Sequence, residues 1–121
     1  ELDLTSPIAK GMPQQSIAWF ENGPAFELSE PPPSGGGQSA GPNSPSAKAG
    51  ASDIRVIAKY PSDPKQILLS GWALGAEKIA GKAALVEVKM GKGKIILFGF
   101  RPQYRGQSLA TFPLLFNAIS N

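Results

Sequence analysis

The chain has 121 residues, 41% of them apolar and 17% charged, and carries a formal charge of +3; that length accommodates one domain with a small core. It contains neither cysteine nor histidine, which excludes disulfides, thiolate or imidazole catalysis and the usual zinc sites in this chain taken alone. The lysines are scattered except for Lys89, Lys92 and Lys94, so the dense basic stripe of a nucleic-acid binder is missing, and the longest apolar run, IILFGF, is far too short to cross a membrane.

The opening residues are not expected to be a leader peptide, and the expectation that the chain is a piece cut from a longer, processed precursor stays open beside it. The first segment, SPIAKGMP, holds turns at Ser6-Pro7 and at Gly11-Met12-Pro13. Ile17 to Phe20 and Ala25 to Leu28 flank a Gly23-Pro24 break and are expected to form a short irregular hairpin. From Glu30 to Asp53 the chain reads EPPPSGGGQSAGPNSPSAKAGASD, without apolar periodicity, and this Pro/Gly/Ser-rich stretch is expected to be a flexible loop inserted into one domain spanning residues 1–121.

Beyond the loop, Ile54, Val56 and Ala58 alternate with Arg55, Ile57 and Lys59, the period of a half-buried strand that ends at Tyr60-Pro61. Asp63-Pro64 starts a turn. QILLSGWALG is expected to supply another short strand, with EKIAGK as a polar connection. AALVEVKM at 83 to 90 and KIILFGF at 94 to 100 flank Gly91-Lys92-Gly93, a hairpin with glycines where positive φ is needed. Ile95 to Phe98 are apolar without alternation, as in a strand covered on both faces.

The chain closes with SLATFPLLFNAISN, in which Leu109, Phe112, Leu115, Phe116 and Ile119 form a helical stripe that should face the core. Truncating Phe116 would then cost roughly 3 to 5 kcal/mol. Thr111 is the favoured cap, because it leaves Pro113 in the first turn, where a missing N–H costs little; a cap at Ser108 would place Pro113 where it bends the helix.

GKGK at 91 to 94 lacks the spacing and the following helix of a phosphate loop, so it reads as a hairpin turn, with a weak anion contact as the alternative. Trp19 and Trp72 are expected in the core, with a stacking platform for sugar or peptide as the alternative. Glu21, Glu27, Glu77 and Glu87 show no paired spacing for a two-carboxylate hydrolase, and Glu87 is expected to point outward. The best ligand candidates are Arg101, Tyr104 and Arg105, with Trp72, since arginine forks suit carboxylates and strand ends collect ligands. The competing reading is that Arg101 or Arg105 pairs with a nearby Asp or Glu, or with helix-end carbonyls, and fixes the turn.

ALVEVKMGKGKIILFGFRPQYRGQSLATFPLLFNAIS, preceded by QILLSGWALGAEKIAGKAA and opened by SPIAKGMPQQSIAWFENGPAFEL, resembles the C-terminal end of large bacterial secreted proteins related to zinc carboxypeptidases of the carboxypeptidase A type. In those chains a peptidase domain comes first and a domain similar to class I glutamine amidotransferases comes last. The resemblance implies a secreted or periplasmic location and an upstream peptidase domain as partner. The peptidase's His-x-x-Glu pair and later His have no counterpart here. Phe100, Arg101, Pro102 and Gln103 read like the Phe-His-Pro-Glu of active amidotransferases with His replaced by Arg and Glu by Gln. Arginine cannot act as a base near neutral pH, and glutamine cannot stabilise an imidazolium as a carboxylate does.

The expectation is therefore an α+β domain, mainly antiparallel sheet with one C-terminal helix packed on it; the resemblance adds a partial amidotransferase-like, flavodoxin-like domain as the alternative. It would be a non-catalytic accessory domain with no cofactor and no metal, serving the peptidase or holding peptide or glycan. A stand-alone peptide- or carbohydrate-binding module using residues 98–108 is the competing class.

Overall fold

The computed structural model describes residues 1–28 and 53–121. Apart from Asp53, the inserted loop expected over residues 30–53 lies outside the described residues. The rest is an α+β arrangement: β1 (Ile54–Lys59), β2 (Ala83–Met90) and β3 (Gly93–Phe98) form one antiparallel sheet in the order β1-β2-β3, and one helix, α1 (Phe112–Ser120), closes the chain. Short 3-10 turns occupy Pro7–Ala9, Pro64–Gln66, Ala76–Lys78 and Leu109–Thr111.

The β2–β3 hairpin forms at the expected place, but of its two glycines only Gly91 needs the left-handed region; Gly93 is already an ordinary strand residue. Met90 pairs with Gly93 across a two-residue loop, and Gly91 takes φ +58°, a backbone that a side chain resists. β1 has the expected bounds, but its alternation does not survive intact. The register runs Val56 to Val86 and then Ala58 to Leu85, so Ile57 is an extra residue in a bulge. Both Ile57 and Ala58 are thereby buried, at 0% and 7% exposure, whereas simple alternation would have turned Ile57 outward with Arg55 and Lys59.

The core gathers Ile8, Ile57, Leu85 and Leu114, all at or below 2% exposure, with Leu2, Met12 and Phe100 around them. Each such side chain contributes about 1.5–3 kcal/mol by leaving water. Ser6, whose Oγ accepts from the Ile8 amide at 3.3 Å, caps the Pro7–Ala9 turn and drives Ile8 into that core. The N-terminal residues then run along the outer edge of β1: Asp3 N donates to Ile57 O at 2.8 Å, and Lys59 N donates to Glu1 O at 2.9 Å.

Helix α1 begins where expected, after Thr111, with Pro113 in its first turn. It packs against the Pro7–Ala9 turn, where Asn117 Nδ2 donates to both Ile8 O and Lys10 O at 3.0 Å. Its buried anchor is Leu114, one position away from the expected stripe. Leu109, Phe116 and Ile119 are exposed at 69%, 61% and 75%. Phe112 and Leu115 of the expected stripe are half-buried, but its other three members are turned outward, and Phe116 is not the core residue its spacing suggested.

Four further expectations are corrected. QILLSGWALG forms no strand; Leu69, Trp72 and Leu74 stand 68%, 81% and 79% exposed between two 3-10 turns. An apolar run becomes a strand only if a neighbouring edge satisfies its backbone, and this one pairs with none. Ile17–Phe20 and Ala25–Leu28 do not pair with each other either: Trp19 bridges to Arg101 and Phe26 to Ala83. β3 is not covered on both faces, since Ile95 and Leu97 are 45% and 39% exposed. Glu87 is buried rather than outward, because the core face of β2 continues past Leu85; Glu87 lies opposite Arg55 and 3.9 Å from Lys94 Nζ.

Candidate functional site

The strand direction of β3 continues through Gly99 and Phe100 to Arg101, where the Arg101 amide donates to Trp19 O at 3.0 Å. That bridge joins two segments 82 positions apart and lays their side chains together. The turn that follows is pinned from inside. Tyr104 N donates to Ser108 Oγ at 2.9 Å, Gln107 N to Tyr104 O at 2.8 Å, and the buried Thr111 hydroxyl to Pro102 O at 2.8 Å. Thr111 thus occupies the cap position while its side chain reaches back to the turn; the helix has no side-chain cap. Arg105 and Gly106 follow at φ +49° and +69°, and the left-handed backbone at Arg105 is the uncommon one for a residue with a side chain.

The product is a compact aromatic and cationic cluster. The Trp19 and Tyr104 rings stack with centroids 4.9 Å apart and planes within 7° of parallel. The guanidinium carbons of Arg101 and Arg105 each lie 5.2 Å from the Tyr104 ring centroid, a cation–π range worth about 0.5–1 kcal/mol at an exposed site. Arg101 Nη2 is 3.4 Å from Glu21 Oε2. Arg105 has no ion pair among the described residues.

Three of the four expected ligand residues, Arg101, Tyr104 and Arg105, are brought together. Trp72 is not joined to them by any aromatic or cation–π contact among the described residues. Both tryptophans face outward rather than into the core, Trp19 at 46% and Trp72 at 81% exposure; Trp19 stacks on Tyr104 of its own chain. The competing reading of the arginines holds for Arg101, whose partner is Glu21, and not for Arg105. Glu21 and Trp19 are the members that spacing around residues 98–108 could not supply. Only the long-range bridge to Arg101 brings in residues so distant in the chain.

The cluster can hold an anion or an aromatic or sugar face by charge and stacking. Its ionisable groups are the two guanidiniums, the Tyr104 phenol and the Glu21 carboxylate, which lies 3.4 Å from Arg101. Among the described residues no three acidic side chains gather as a metal site would need, and no helix is long and apolar enough to cross a membrane. No protein-family model, curated protein or solved structure matches the chain.

Proposed function

We propose that this chain is a non-catalytic accessory domain of a larger secreted, carboxypeptidase-like protein, and that it holds carboxylate-bearing peptide with the Trp19–Tyr104–Arg101–Arg105 cluster. The observation that carries the reading is Arg105: a guanidinium on a left-handed residue, set beside an exposed aromatic stack, with no carboxylate of its own among the described residues. A second guanidinium, Arg101, lies on the same ring. Paired arginines suit the planar geometry of a carboxylate, and an adjacent aromatic face accommodates the residue that bears it. The peptidase partner and the secreted location rest on the quoted sequence resemblance alone.

The test is an NMR titration with a short peptide bearing a free C-terminal carboxylate, its C-terminal amide, and a neutral oligosaccharide. The reading expects saturable shifts at the Trp19 indole and the amides of residues 98–108 with the carboxylate form. Arg105→Gln should weaken binding about tenfold, the loss of one charged hydrogen bond. Shifts with the oligosaccharide and not the peptide would transfer the site to glycan binding, and silence with all three would remove it.

The exposed stripe of α1 favours a second, compatible contribution. Phe116 and Ile119, with Leu109 in the 3-10 turn before the helix, are exposed apolar side chains of the kind that seat on another domain, which supports the accessory reading. Mixing with the peptidase domain encoded upstream in the same precursor should perturb this stripe. Absence of such a domain from the precursor would end the carboxypeptidase-like part of the reading.

A further inference from the structure

We infer that β3 pairs with β3 of a second copy of this chain, in an antiparallel register centred on Ile96, joining two three-stranded sheets into one of six strands. The argument starts at the hairpin. Met90 and Gly93 close a two-residue loop and therefore form a hydrogen-bonded pair, after which bonded and non-bonded pairs alternate. Ile95 and Leu97 accordingly turn their backbone groups toward β2, and the Gly99 amide continues that series by donating to Ala84 O at 2.7 Å. Lys94, Ile96 and Phe98 turn theirs the opposite way, to an edge that no described residue pairs with.

The two edges of the sheet are treated differently. Glu1–Asp3 already run along β1, while β3 carries neither proline nor bulge to blunt its edge. An open row of donors and acceptors is a template for another strand, and β3 is itself a good match. With Ile96 opposite its own copy, Lys94 falls opposite Phe98 and every outward-turned residue meets an outward-turned residue, so all three positions bond on each chain. On the face away from the core, Ile95 then lies opposite Leu97, twice over. These side chains are 45% and 39% exposed in the single chain, and cross-strand apolar pairs of this kind are what hold strands in register.

Charge does not oppose this register. The two Lys94 side chains lie at opposite ends of the paired stretch, and each has Glu87 of its own chain nearby at 3.9 Å. A shift of two residues would bring Lys94 opposite Ile96 and leave Phe98 without a partner in the paired row, so the centred register uses the edge most fully. The net charge of +3 per copy makes association stronger as salt screens the repulsion.

The test needs no ligand: light scattering and hydrogen exchange on the full chain across a concentration series. The expected result is a mass rising toward twice 12.7 kDa, with the amides of Lys94, Ile96 and Phe98 gaining at least tenfold protection while that of Ile95 stays constant. Ile95→Lys with Leu97→Lys sets like charges opposite one another and should keep the chain monomeric; Phe116→Lys on α1 should leave dimerisation unchanged. Should the double variant misfold, the concentration dependence of the unaltered chain decides alone. A monomer at millimolar concentration, a dimer broken by Phe116→Lys, or protection of the β3 amides only on adding an unrelated extended peptide would each overturn the inference.

Discussion

Trp19 and Tyr104 lie 85 positions apart in the chain, yet their rings stack within 7° of parallel. The pair ties the N-terminal segment to the turn after β3 and forms the floor of the candidate site. Aromatic pairs contribute about 0.5–1.5 kcal/mol beyond the area they bury. A double-mutant cycle of Trp19→Ala and Tyr104→Ala in urea should return a coupling of that size. A coupling near zero would mean that the stack does not persist in solution.

Asn117 and Phe116 are neighbours on α1 with opposite expectations. Asn117→Ala leaves the carbonyls of Ile8 and Lys10 without their donor and should cost about 1–3 kcal/mol. Phe116 is 61% exposed and packs edge-on to Phe112 at 6.3 Å, so Phe116→Ala should cost about 1 kcal/mol or less. Denaturant melts of the two variants side by side check both statements, and the reverse order would mean that α1 is turned the other way.

Gly99 is pressed between two chain segments. A Cβ there would overlap Pro24 O and stand 3.1 Å from Ala84 O, while one on Gly23 would overlap Gly99 O. Backbone cannot yield as a side-chain tip does, so Gly99→Ala should destabilise by about 3 kcal/mol or more. Thermal melting of this variant should fall well below that of Gly106→Ala, whose Cβ meets nothing within 4 Å and whose cost is confined to its left-handed backbone.

Tyr60 makes stability depend on pH at the alkaline extreme. Burial pushes the Tyr60 hydroxyl from 10.0 up to about 12; the folded chain then holds this proton more tightly than the unfolded chain. Stability is therefore insensitive to Tyr60 below pH 10 and falls as pH rises from 10 toward 12. Tyr60→Phe should flatten that slope in denaturation series run from pH 9 to 12.

Asp3 acts at the other end. Hydrogen bonds from the Thr5 side chain, then from Arg55, hold its carboxyl down from 3.8 to about 2. Its contribution is present above pH 3.8 and is lost as pH falls toward 2. Asp3→Asn should weaken the chain at neutral pH and reduce its further loss between pH 4 and 2, as followed by acid titration of the fold.

Local chemistry made several elements legible before any coordinates. The Gly91-Lys92-Gly93 hairpin, the bounds of β1, the Asp63-Pro64 turn and the start of α1 after Thr111 depend on neighbouring residues alone: glycine dihedrals, strand period and the missing proline N–H. The gathering of Arg101, Tyr104 and Arg105 belongs to the same class, since three residues in one five-residue turn cannot lie far apart.

Facing was another matter. Apolar periodicity tells that α1 has a stripe and that residues 66–75 are apolar, but not which surface meets them. That depends on what packs alongside: the Pro7–Ala9 turn selects Leu114 and Asn117, and QILLSGWALG finds no strand edge. The bulge at Ile57, the burial of Glu87 and the union of Trp19 and Glu21 with the arginines likewise arise from contacts across tens of residues. Such contacts form only when distant backbones satisfy one another, and a linear pattern carries no record of which partner will be there.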